Sequence, residues 1–99
     1  MVVFTRGGYA THDTLTGEWQ SFTFSKPVRK LRVWVLGTTV DNPVGLIRLN
    51  DAPESKAIAI NLAHSFRLDD HVVDKVYYKL KSGSNGQISI LGLKTRETH

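Results

Sequence analysis

The sequence predicts an all-β domain, a two-sheet β-sandwich or jelly roll of about seven to nine short strands, with a small OB-like barrel as the alternative. Three observations point there. Apolar residues recur with a period of two along most of the chain. Clusters of Pro, Gly, Asn and Asp punctuate the alternating runs. No long window carries a convincing helical stripe; "SKAIAINLAHSF" comes closest because Ala and Leu favour helices, and it reads as strand and turn.

In order along the chain, "VVFT" offers a short first strand, and the turn geometry of "RGGY" accounts for Gly7 and Gly8. "WQSFTFS" places Phe22 and Phe24 on one face with Ser21 and Thr23 opposite. Ser25-Lys26-Pro27 then separates two strands, since proline cannot donate to a ladder. "VRKLRVWVLG" turns Leu31, Val33 and Val35 inward and Lys30, Arg32 and Trp34 outward. Turn clusters in "TTVDNPVG" and "NDAPESK" bracket "GLIRLN", in which Ile47 and Leu49 face in and Arg48 out. "AIAINL" sets Ile58, Ile60 and Leu62 against Ala57 and Ala59, and "HSFRL" gives Phe66 and Leu68 the inward side. "DKVYYKLK" buries Val76, Tyr78 and Leu80 and exposes Tyr77, Lys79 and Lys81. "GQISILGL" buries Ile88 and Ile90. Asn85-Gly86 suits a tight turn, so residues 75–81 and 87–93 are expected to form a hairpin.

Ninety-nine residues suit a single domain over 1–99, with an extended amino-terminal arm (1–8) and a loose polar tail (94–99). The composition, 40% hydrophobic and 22% charged, is that of a globular protein. The absence of cysteine excludes disulfides and thiolate metal sites. "MVVFTR" is too short an apolar run for a secretory leader, and no stretch is long enough to span a bilayer, so no membrane partner is expected. The net charge of +4 permits an acidic partner without demanding one.

No residue set identifies a reaction, and the chain is expected not to be an enzyme. "LDDHVVDK" groups Asp69, Asp70, His71 and Asp74, but its spacing lacks the glycine and alternating oxygens of a calcium loop. His12-Asp13 and the pair Asp13 and Glu18 have no spacing that implies catalysis. His64 beside Ser65 sits in no nucleophile elbow, and Gly7-Gly8 precedes no helix that would cradle phosphate. No metal or cofactor is expected.

The outward faces of two strands remain. Lys30, Arg32 and Trp34 lie on one, Tyr77, Lys79 and Lys81 on the other. Exposed lysines often only discourage edge pairing, and Tyr77 has their aliphatic stems for shelter. Trp34 asks for more, since burying a ring of that size is worth roughly 4–6 kcal/mol at most. Either the amino-terminal Val2, Val3 and Phe4 fold over it or another molecule does. A protein partner suits aromatics ringed by charge. Carbohydrate stacking on Trp34 or Tyr77, and single-stranded nucleic acid held by cations and rings, are the alternatives.

The succession "SFTFSKPVRKLRVWVLGTT", "GLIRLND" and "VVDKVYYKLKSGSNGQISILGL" resembles small β-sandwich virion proteins of tailed bacteriophages, of the capsid decoration or cement type. The likeness lies in "KPVRKLRV", "SGSNGQ" and the closing "ISILGL", and spans roughly residues 19–93. It implies a non-enzymatic protein, made in the host cytoplasm and carried on the virion. Such a protein oligomerises, often as a trimer, and clamps neighbouring major capsid proteins. The resemblance carries over no binding residues; from the outward strand faces, Trp34 and Tyr77 are the expected anchors and Lys30, Arg32, Lys79 and Lys81 steer towards an acidic surface, with Val2, Val3 and Phe4 a second candidate contact.

Overall fold

The computed structural model describes residues 5–37, 44–61, 65–81 and 85–93, the first four by backbone alone. Seven strands form: β1 (Thr5–Gly8), β2 (Ala10–Thr14), β3 (Gln20–Gly37), β4 (Gly45–Leu49), β5 (Ile58–Ile60), β6 (Phe66–Leu80) and β7 (Gly86–Leu93). The one helical element among the described residues is a single 3₁₀ turn at Glu54–Lys56. The all-β class therefore holds. The hydrogen bonding runs through one sheet rather than two, in the order β2-β7-β3-β6-β4-β5, with β1 added in parallel to β3. No ladder joins β2 to β5 among the described residues, so the sheet does not close into a barrel.

The two long antiparallel strands, β3 and β6, carry the architecture. Ser25-Lys26-Pro27 does not separate two strands; it lies within β3 as an irregularity. Between Thr23 and Val28, β3 holds residues 24–27 opposite Asp74 alone. Between Val28 and Lys30, β6 holds residues 70–72 opposite Arg29 alone. Paired bulges of this kind bend both strands and re-aim their side chains. Proline fits there because the ladder is already interrupted. Asp70 takes a left-handed backbone (φ 58°), which places the acid-rich "DDH" at this bend.

The bend folds the sheet across its middle. Ser21–Phe24 pairs with β1, and Gln20–Thr23 with the end of β6, which also carries β4. Lys30–Gly37 pairs with β7 and with the start of β6. The two halves share one core. Phe22, Ile47, Val76 and Tyr78 come from the first half, and Leu31, Val33, Val35, Ile88 and Ile90 from the second. The inward residues read from the alternation are all among its members or packed on it, apart from Leu62, which lies outside the described residues. A Cβ on Gly92 of β7 would sit 2.3 Å from the Phe24 ring, a measure of how closely the halves meet.

Two further sequence expectations fail. Residues 75–81 and 87–93 do not form a hairpin: β7 pairs with β2 and β3, and β6 lies on the far side of β3. Gly86 serves close packing instead of a turn, since a Cβ there would stand 2.4 Å from the Leu36 carbonyl oxygen and 2.5 Å from Val44 Cγ1. Asn85 is not among the described non-glycine residues with positive φ, which are Asn50 and Asp70. The second failure is in "RGGYATHDT". Gly7 and Gly8, read as a turn, lie in β1, and "ATHDT", for which the sequence suggests no strand, forms β2, although the segment carries no alternating apolar residues.

Candidate interaction surface

The half of the sheet made by β2, β7 and residues 30–37 of β3 presents one outer face. Register sets its rows: Trp34 lies opposite Ser89, and Ser89 opposite His12, so the three stand side by side across adjacent strands. Trp34 is 38% exposed, Leu36 54% and Leu93 37%, which makes them three of the four large exposed hydrophobics among the described residues. A cavity of about 350 Å³ opens beside the indole, lined by Ala10, His12, Ser89 and Leu91. Lys30 is exposed at the margin. Arg32 is half-buried and holds Asp69 through its Nη1 at 3.1 Å, also donating to the Leu31 carbonyl at 2.9 Å.

His12 is fixed in this face. Its Nε2 bonds the Gln87 Oε1 at 2.8 Å, and its Nδ1 bonds the Ser89 hydroxyl at 2.7 Å. That hydroxyl–imidazole contact has the reach of a nucleophile and its base. Catalysis also needs donors for a developing oxyanion. Ser89 lies mid-strand between β2 and β3, where the backbone N–H groups belong to the ladders. The contact holds the three side chains in place across β2 and β7. Among the described residues, no group of three or more His, Cys, Asp or Glu is placed to hold a metal ion.

Tyr77, Lys79 and Lys81 lie on the other half of the sheet. Both halves turn their apolar sides into one core, so this outer face looks away from that of Trp34. The two basic, aromatic strand faces are brought into one sheet but not into one patch. Tyr77 is half-buried, with the Arg48 guanidinium 4.6 Å from its ring centroid and the Lys75 ammonium 5.4 Å away. Arg48 also lies 4.3 Å from the Trp19 ring, which Lys79 approaches at 5.5 Å. Trp19 Nε1 donates to Glu54 Oε1 at 3.2 Å, and Arg48 Nη1 donates to the Ala52 carbonyl at 3.1 Å. These cations cover the rings with their own chain's charge. Lys81 is half-buried, its backbone N–H held by the Val44 carbonyl at 2.9 Å. Val2, Val3 and Phe4 lie outside the described residues.

Several members of these surfaces escape a reading by alternation. Trp19 precedes its strand, and Arg48 is legible as outward-facing but not as the cation that bridges two rings. His12, Ser89 and Gln87 meet only because β7 inserts beside β2, a pairing that no local pattern announces. The exposed Leu36 and Leu93 were legible by parity from Trp34 and from Ile90. Comparison with protein-family models, with curated proteins and with solved structures gave no match.

Proposed function

We propose that this chain acts by binding and not by catalysis, as an accessory structural protein of a tailed-phage virion that docks on the capsid shell. The observation that carries the reading is the indole of Trp34, 38% exposed on the outer sheet face next to Leu36, with Arg32 on its other side and Lys30 and Leu93 at the margin. An apolar centre with a charged rim is the anatomy of a protein interface. Burying the remaining indole surface is worth on the order of 2 kcal/mol. Contacts made only with the assembled shell stabilise that shell by mass action. The virion is then the site of action, reached after synthesis in the host cytoplasm. The covered rings of Tyr77 and Trp19 favour this face over the opposite one, because their stacking surfaces are already occupied.

Co-sedimentation with assembled capsid shells of the encoding phage tests the proposal. Trp34→Ala is expected to weaken retention by about tenfold or more, the equivalent of about 1.4 kcal/mol. The unfolding midpoint should move little, because the ring is not core. Undiminished retention of the variant, or no retention of the parent protein, rejects the reading. One observation favours a second reading, a carbohydrate-binding module: polar Ser89 and His12 stand in the same row as the indole. A glycan that quenches tryptophan fluorescence in the parent protein but not in Trp34→Ala would favour that reading instead.

A further inference from the structure

Strand β2 ends the sheet, and no described strand pairs with its outer side. Its hydrogen-bond phase follows from two contacts: the Leu15 N–H donates to the Gly86 carbonyl, and the Gly92 N–H to the Tyr9 carbonyl. Odd-numbered residues of this segment therefore point their backbone groups towards β7. In an antiparallel ladder the even-numbered ones point the opposite way. Ala10, His12 and Thr14 thus present N–H and C=O groups along the open edge. The Thr14 N–H is taken by Asp13 Oδ1 at 2.9 Å, and the others are free to pair.

Natural edges are usually blunted by lysine, proline or an inward charge. This one has neither lysine nor proline; its one such device is the inward acid Asp13, whose Oδ2 accepts from Tyr78 Oη at 2.8 Å and from Gln20 Nε2 at 3.2 Å, so that its charge is satisfied within the fold and the backbone edge at Ala10 and His12 stays open. The chain carries 13 Lys and Arg, yet none falls in Ala10–Thr14 or Gly86–Leu93. For a protein of net charge +4, this neutral border is where a second identical copy meets least repulsion.

We propose that β2 pairs with β2 of a second copy, antiparallel about a twofold axis through His12. The edge is self-complementary in that register. His12 faces its counterpart and exchanges both backbone bonds with it, and each Ala10 N–H reaches the Thr14 carbonyl of the other copy. An interface of this kind uses the same surface on both subunits. The axis stands perpendicular to the sheet, so both Trp34 faces lie on one side of a continuous double sheet. Two anchors on one rigid body raise the effective concentration for the second docking event. The pairing rests on the backbone edge alone and stands or falls apart from the shell-binding reading.

The chain has no cysteine, so a single introduced thiol reports the register. In purified full-length protein, light scattering after size exclusion should give twice the 11.1 kDa chain mass. Under mild oxidation His12→Cys should cross-link to its counterpart, because directly opposed residues lie about 5.5 Å apart, within disulfide reach. Thr14→Cys should not, since it faces Ala10 of the other copy. His12→Lys, which sets two cations face to face, should reduce the species to single-chain mass while circular dichroism stays unchanged. A monomeric parent protein, a trimer, or cross-linking equal at positions 12 and 14 overturns the proposal. So does a dimer that persists in His12→Lys. Loss of capsid binding with the dimer intact would count against the proposed function alone.

Discussion

At the scale of single residues, Tyr78 shows how the two halves of the sheet are tied. Its ring is fully buried, and its hydroxyl crosses the core to the carboxylate of Asp13 on β2. A hydrogen bond to a charged acceptor is worth about 1.5–3 kcal/mol. Tyr78→Phe should lower stability by about that amount in urea unfolding, with an unchanged m-value, because the ring still fills its place. The inward position of Tyr78 is plain from "VYYKL"; its partner is not. Asp13 and Glu18 looked like a carboxylate pair without meaning. Only the fold shows that Asp13 is held inside by Tyr78 and Gln20. Trp34 was legible by parity alone, since flanking Val33 and Val35 fix its outward direction whatever pairs with the strand. Tyr77 was equally outward by parity, but the cations that cover it come from β4 and from its own strand, and the first of these is a tertiary fact.

At the scale of elements, the glycines at the start of β7 decide where that strand can lie. Gly86 and Gly37 are register partners, and at each a Cβ would meet backbone atoms of the opposite strand at 2.3–2.4 Å. Gly86→Ala should therefore cost about 1–3 kcal/mol, read as a fall in Tm of roughly 4–8 °C per kcal/mol. Gly17→Ala is the control: nothing lies within 4 Å of its Cβ, and it should leave Tm unchanged or slightly raised. The same glycine explains the failed hairpin. Asn-Gly next to alternating residues is a strong local signal for a tight turn, and that signal competed with close backbone approach, a second reason for glycine. β2 failed for the opposite cause. "ATHDT" has the alternation of a strand in exposure but not in hydropathy, so nothing in its composition marks it.

At the scale of the whole molecule, β3 and β6 each contribute to both halves, and neither half has a core of its own. Unfolding should be a single transition, with fluorescence of the two tryptophans and far-ultraviolet circular dichroism changing together. Separate midpoints would show that the halves melt independently. The alternation sufficed for the fold class and for almost every inward residue, because burial on a strand depends only on parity. Strand order was not legible, since β7 reaches past β6 to its neighbours β2 and β3.

That placement of β7 has a consequence for how the protein is made. Its last described strand fills the gap between one of its first and its longest, so a nascent chain emerging from the ribosome has no complete core until Leu93 is outside the exit tunnel. Until then Ile88 and Ile90 are missing, and Val33 and Val35 stand open to water and to neighbouring chains. Folding waits for β7.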